Sequence, residues 1–208
     1  MIHTKDLKFE YANGHSFEFS DIQLKKKDHL LILGPSGSGK TTLLHLLSGI
    51  LPANSGKIFI GDTEITGLNR KDLDRFRGEN IGLVFQQYHY VKSLTVEENL
   101  KLRQKFPKNI RDHKRLVTIS ERLGLESVIQ KKVDQLSQGQ KQRLAIALGL
   151  IHQPKVVLAD EPTSNLDDLN CTKVISLLQE EARLCGSSLV IITHDQRVKE
   201  HFDNHFSL

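Results

Sequence analysis

Apolar and polar positions along the chain follow two periods, and the switches between them lay out the elements. Short apolar or alternating runs predict strands over residues 7–11, 16–22, 30–33, 57–60, 81–86, 156–159 and 189–193. The first, second and fourth read as half-exposed antiparallel strands. By contrast, Leu30-Leu31-Ile32-Leu33, Val156-Val157-Leu158-Ala159 and Leu189-Val190-Ile191-Ile192 are apolar at every position, as strands covered on both faces of a parallel sheet should be. Helical spacing predicts helices over residues 40–48, 96–106, 110–123, 138–151 and 167–184, the last stopped by Gly186. Residues 88–152 carry almost only helical patterns and read as a helical insertion between two strands of the sheet. The construction is α/β. No repeat, low-complexity tract or Pro/Gly-rich linker separates the parts, so any subdivision is compact.

Composition narrows the class. With 208 residues, 38% hydrophobic and 26% charged, the chain suffices for one well-cored domain with an insertion or for two small subdomains, and is too short for two full catalytic domains. Its apolar stretches, such as residues 43–51 and 145–151, fall short of the ~20 residues that cross a bilayer. The opening Met1-Ile2-His3-Thr4-Lys5-Asp6 has no apolar segment of a secretory signal, so a cytosolic location is expected. Cys171 and Cys185 are the only cysteines. On one helix they would lie roughly 21 Å apart, beyond the ~7 Å reach of a disulfide, and no Cys/His spacing suggests zinc. Both are expected to be packing residues. Charge is uneven: residues 101–132 hold ten Lys/Arg against Asp112, Glu121 and Glu126, a local +7 against −3 over the rest. Such a segment suits nucleic acid, an anionic membrane surface, an acidic partner, or simply a solvated helical face.

The chemistry concentrates at two strand ends. After the buried run 30–33 comes Gly34-Pro35-Ser36-Gly37-Ser38-Gly39-Lys40-Thr41, an unbroken G-x-x-x-x-G-K-[ST] that runs into a helix carrying Thr42. In that strand-to-helix setting the motif is a P-loop. Its glycines let backbone N–H groups converge on an anion, and the helix adds the positive end of its dipole. Lys40 is placed to bridge the β- and γ-phosphates of a nucleotide, and Thr41 to give its hydroxyl to Mg²⁺. The second buried strand ends in Asp160-Glu161, at the carboxyl edge where such sheets place their ligands. Asp160 is the expected Mg²⁺ carboxylate and Glu161 the candidate general base for the attacking water.

A P-loop serves many reactions, and the segment that separates them is Leu136-Ser137-Gln138-Gly139-Gln140, 24 positions before Asp160. It resembles the signature motif of ATP-binding cassette (ABC) ATPases, in which Leu-Ser-Gly-Gly-Gln is commonest and Gln138 stands here for the first glycine. An ordered set of further motifs resembles the same family across nearly the whole chain. Tyr11 is similar to the aromatic residue that stacks on adenine, with Phe9 as its rival. Gln86 is similar to the Q-loop glutamine that contacts Mg²⁺ or water, with Gln87 beside it; Ser164-Asn165-Leu166-Asp167 is similar to the D-loop, and His194 to the switch histidine at the γ-phosphate. Ser137, Gly139 and Gln140 open a helix whose hydroxyl, N–H groups and dipole suit an anion. Leu148 departs from the pattern, since an arginine is expected after Ala145-Ile146-Ala147.

The resemblance implies a RecA-like parallel sheet core with an N-terminal antiparallel β-subdomain and an inserted helical signature subdomain. The core would take residues 1–87 and 153–208, the helical subdomain 88–152. It implies a homodimer in which Ser137 and Gly139 cap the γ-phosphate held by the other copy's P-loop, so that two chains sandwich two ATP. It further implies separate integral membrane permease subunits, coupled through a groove near residues 86–94, with this chain peripheral on the inner face of the cell membrane. The segments 81–88 and 159–167 look most like the lipoprotein-release and macrolide-efflux branch, which includes a force-transmitting cell-division ATPase. Alternatives are such a non-transporting machine, a soluble ABC protein on nucleic acid, and a cassette that binds ATP without cleaving it. Against the nucleic-acid reading, only 96 positions separate Lys40 from Leu136, too few for the coiled coil of the DNA-repair members, so no nucleic-acid partner is expected.

Overall fold

The computed structural model describes residues 1–87, 89–106, 112–164 and 166–208. Strands β1 (Ile2–Glu10), β2 (Ser16–Glu18), β3 (Gln23–Leu24), β5 (Ser55–Ile60) and β6 (Thr63–Glu64) form an antiparallel sheet. Strands β4 (His29–Leu33), β7 (Ile81–Val84), β8 (Val156–Asp160), β9 (Ser188–Thr193) and β10 (His205–Ser207) form a parallel sheet in the order β10-β4-β9-β8-β7. The helices are α1 (Lys40–Leu47), α2 (Arg70–Asn80), α3 (Val96–Lys105), α4 (His113–Arg122), α5 (Gln138–Leu150) and α6 (Asp168–Cys185).

The unbroken apolarity of the central strands follows from their having no solvent face. Leu31, Leu33, Val157, Ala159, Leu189 and Ile191 join one core with α3 to α6. Their sequence neighbours Ile32, Val156, Leu158, Val190 and Ile192 join a second core with α1 and the antiparallel sheet. Alternate side chains leave a strand on opposite faces, so both faces must be apolar. Against the second face α1 lays Leu43, Leu44, Leu46 and Leu47, all buried. Each such side chain contributes about 1.5–3 kcal/mol when fully buried.

Several expected boundaries shift, each for a local reason. The first strand begins at Ile2, five residues before the predicted start: Asp6 has φ 50° and the β1/β5 register slips between Lys5 and Lys8. That bulge reverses the in-out alternation and hides Ile2 and Thr4 from a period-2 reading. The run 16–22 holds only the short β2, with β3 following it. Strand β7 stops at Val84, so Gln86 lies two residues beyond the strand instead of ending it. Strand β10 and helix α2 were not predicted; α2 buries no residue fully and touches the second core only through Leu73 and Phe76. Its hydrophobic stripe is too thin to read. Helix α4 begins at His113 with Asp112 as N-cap, its side chain accepting from the Arg115 N–H at 2.8 Å; the predicted start at 110–111 lies outside the described residues. Gly186 stops α6 as expected, in the left-handed region at φ 67°.

Three arginines of the basic stretch fasten α3 and α4 to the rest. Arg103 reaches the carbonyls of Gly78 and Ile81 and the His152 ring, Arg115 the Leu150 carbonyl and Cys185, and Arg122 pairs with Glu180 and the fully buried Glu181. Part of the local +7 is therefore internal structure. Helix α5 lies against β7 where two glycines meet: a Cβ on Gly82 would stand 2.0 Å from the Gly149 carbonyl oxygen. Both thiols are free, Cys171 buried and Cys185 half-buried.

Candidate active site

The P-loop leaves β4 at Leu33 and enters α1 at Lys40, with Gly37 at φ 85° and Gly39 at φ 93°. These left-handed turns need glycine, and at Gly39 the demand is doubled because an added Cβ would stand 2.6 Å from the Phe17 ring. Pro35, Ser36 and Gly37 are exposed at the tip, while Lys40 is buried with Nζ donating to the Gly34 and Pro35 carbonyls, each at 2.8 Å. The Ser38 hydroxyl is buried with no partner among the described residues. Thr42 is buried on α1, and its hydroxyl lies 2.9 Å from the Tyr11 phenol oxygen. Tyr11 stands just past β1 at 38% exposure, edge-on to Phe9, whereas Phe9 itself is core. Of the two aromatic candidates, only Tyr11 presents a ring surface beside the P-loop.

The two carboxylates at the end of β8 occupy opposite environments. Asp160 is buried; one oxygen accepts from the Thr41 hydroxyl at 3.1 Å and the other has no partner among the described residues. Burial raises its pKa, the Thr41 hydrogen bond opposes this, and the neighbouring Glu161 charge adds to the rise. A buried carboxylate with an orphaned oxygen beside a hydroxyl is a charge wanting a cation, and oxygen donors of this kind suit Mg²⁺. Thr41 and Asp160 therefore fit the ion.

Glu161 turns the other way. Its backbone sits at φ 48°, a left-handed conformation that costs a non-glycine residue of order 1 kcal/mol or more. In return its carboxylate is gripped by the end of β9: Thr193 Oγ1 donates at 2.7 Å, the His194 N–H at 3.1 Å, and His194 Nδ1 lies at 2.8 Å. Glu161 is mostly buried in this cradle while the His194 ring stands well exposed. The two residues predicted separately thus form one pair.

Gln86 lies with Glu161, Gln138, Gln142 and Ser164 around a small polar cavity of about 50 Å³, while Gln87 is exposed beside it. Ser137 is the N-cap of α5 and forms a capping box with Gln140: the Gln140 N–H donates to Ser137 Oγ at 3.3 Å and the Ser137 N–H to Gln140 Oε1 at 2.9 Å. Among the described residues these two therefore bond to each other and not to the chain's own P-loop; Gly139 follows in the same exposed first turn. Asp167 caps α6 by accepting from the Asn170 N–H at 2.8 Å, which lowers its pKa. Asn165 and Tyr88 lie outside the described residues. Leu148, where an arginine was expected, packs half-buried on the first core. It lines a larger groove of about 660 Å³ with Phe85, His89, Val91, Leu102 and Phe106.

Sequence reasoning missed Phe17 against Gly39, Thr193 on Glu161, and Gln142, whose amide donates to the Pro162 carbonyl at 2.8 Å. It also missed Asp195 and Arg197 beyond His194. Thr193, Asp195 and Arg197 stood in plain view around His194; Phe17 and Gln142 sit on elements distant in sequence from Gly39 and Pro162, and only folding makes them neighbours.

Comparison with known proteins agrees with this geometry. Residues 18–164, more than half of the chain, match the model of the ABC transporter family. The lipoprotein-releasing system ATP-binding protein LolD of Legionella pneumophila (strain Lens) is 40% identical over 185 residues, covering 88% of this chain and 82% of its own. The bacitracin export ATP-binding protein BceA of Halalkalibacterium halodurans is 38% identical, over 84% of this chain and 70% of its own. Among solved structures, the dimeric post-hydrolysis state of the ATP-binding cassette MJ0796 bound to ADP and Pi superposes with a TM-score of 0.88 at 30% identity, covering 100% of this chain and 94% of that one. A P-loop entering α1, a magnesium-fitting Asp160, a gripped Glu161 and these relatives lead to one family: the chain belongs to the ABC transporters as one of their ATP-binding, ATP-hydrolysing cassettes.

Proposed function

We propose that this chain is the nucleotide-binding subunit of an ABC transporter of the export or lipoprotein-release type. It works as a homodimer that sandwiches two ATP with Mg²⁺ and drives separate integral membrane permease subunits, from a cytoplasmic position on the inner face of the membrane. Residues 1–87 and 153–208 form its nucleotide-binding core and 88–152 its helical subdomain. The observation that carries the catalytic reading is the division of labour between Asp160 and Glu161, one oxygen-orphaned and facing Thr41, the other held by Thr193 and His194.

In this reading Tyr11 stacks on adenine, the loop from Gly34 to Thr42 cradles the phosphates with the backbone N–H groups that follow Pro35, and Lys40 bridges the β- and γ-phosphates. Thr41 and Asp160 would hold Mg²⁺, with Gln86 at the same centre, and the ion bound there would supply neutralisation of phosphate charge. Glu161 orients the attacking water and accepts its proton as the water oxygen bonds to the γ-phosphorus and ADP leaves, a role worth about 10²- to 10⁴-fold. His194 contacts the γ-phosphate from the same hydrogen-bonded pair. Ser137, Gly139 and Gln140 of one copy complete the site of the other, with Asp167 nearby. The 660 Å³ groove beside Gln86 and Leu148 receives the permease. LolD and BceA relatives support the lipoprotein-release or export assignment.

Glu161→Gln is expected to leave ATP binding intact, abolish nearly all turnover and let an ATP-dependent dimer persist in gel filtration. Lys40→Ala should instead weaken nucleotide binding itself, read by calorimetric titration. Wild-type turnover in Glu161→Gln would refute the assignment of the base.

A further inference from the structure

Glu161 and His194 leave the ends of two adjacent parallel strands, β8 and β9, and nothing in a parallel ladder fixes how far apart the loops beyond them travel. Here those two loops are stitched together. The turn after His194 begins with Asp195, one of whose carboxylate oxygens accepts from the Thr163 hydroxyl in the loop after Glu161, at 3.1 Å. Asp195 in turn receives both arms of Arg197, Nε at 2.8 Å on one oxygen and Nη2 at 2.8 Å on the other. The same guanidinium crosses to the other loop: Nη2 donates to the Leu166 carbonyl at 3.2 Å and Nη1 to Asp168, at the start of α6, at 2.5 Å. Thr193 Oγ1 closes the circuit, accepting from the Asp195 N–H at 3.0 Å while donating to Glu161.

An isolated surface ion pair contributes little, and Arg197 is itself 43% exposed. This one differs in kind. A bidentate fork fixes orientation as well as distance, its carboxylate is largely buried, and the neighbouring guanidinium holds the Asp195 pKa at about 2. The fork therefore stays charged throughout the physiological range.

We propose that Arg197 is a positioning residue for ATP hydrolysis, which clamps the loop after Glu161 to the turn after His194 and so sets the geometry of the Glu161–His194 pair. The inference rests on the roles proposed above for those two residues. It requires of Arg197 no contact with nucleotide.

The test uses the full chain with Arg197→Gln and Arg197→Lys, beside wild type and Glu161→Gln, measuring phosphate release against ATP concentration and amide hydrogen exchange over residues 162–170. Arg197→Gln should lower kcat roughly ten- to a hundredfold, as small misplacements of reacting groups do, with KM within about twofold. It should also speed exchange in that loop. Arg197→Lys keeps one charge contact with Asp195 but cannot fork to it and reach Leu166 as well, so it should restore part of the rate. Unchanged kcat in Arg197→Gln, or a loss confined to KM, would overturn the positioning role; unchanged exchange would overturn the clamp. If Glu161→Gln itself turns over normally, the catalytic reading fails first, and the exchange result still reports on the clamp.

Discussion

At the scale of single residues, the site works by giving like groups unlike surroundings. Asp160 and Glu161 are adjacent carboxylates, yet burial and an orphaned oxygen prepare one for a cation, while a left-handed backbone swings the other into the grip of Thr193 and His194. Adjacent residues that face opposite ways can carry separate roles. Environment acts as strongly on His152, whose pKa burial drives down to about 3, with the Arg103 charge adding to the fall. Its folded pKa lies below its unfolded value of 6.5, so between these limits the unfolded chain binds more protons and stability is lost as pH falls. Between pH 7 and pH 5 this group should remove roughly 1–2 kcal/mol. Denaturant melts of wild type and His152→Gln across that window should show a shallower fall in the variant; parallel curves would remove His152 as the source.

Among elements, the decisive contacts are those that hold the helical stretch to the rest of the fold. Arg122 of α4 donates to Glu181 of α6 at 2.5 Å, and Glu181 is fully buried with its other oxygen unpartnered among the described residues. Removing one member of a buried pair leaves an uncompensated charge and typically costs about 3–5 kcal/mol, whereas replacing both by apolar groups is often neutral or better. Arg122→Ala is therefore expected to lose about 3 kcal/mol in urea unfolding, and Arg122→Met with Glu181→Leu to recover most of it. Equal losses in the single and double variants would mean that packing, not charge, joins the two helices. The Gly82–Gly149 contact sets the approach of α5 to β7 at backbone distance, which carries the first turn of α5 to the cavity shared with Gln86 and Glu161.

For the whole molecule, the question is what the cassette drives. Among the described residues no helix is long and apolar enough to cross a membrane, and Arg103, Arg115 and Arg122 of the basic segment are engaged within the fold. On the function proposed above, capture of Glu161→Gln with ATP from native membranes should bring down an integral membrane permease. A permease with a large extracytoplasmic domain is the expected result. Recovery of ribosomes or nucleic acid alone would overturn the transporter reading and leave the ATPase site standing.

The sequence by itself determined the parallel core, the P-loop, the Asp160-Glu161 pair and the order of the motifs, because each depends on contiguous residues or on a period that burial on both faces imposes. It did not reveal α2, whose apolar stripe is two residues wide, or β10, three residues at the sheet edge, or the start of β1 behind its bulge. Only the tertiary structure decided that Glu161 faces His194 instead of Asp160's partners, that Phe17 walls the P-loop, and that Arg197 ties two loops together. Those are relations between strand ends brought side by side, and distance along a chain carries no information about which ends the sheet will make neighbours.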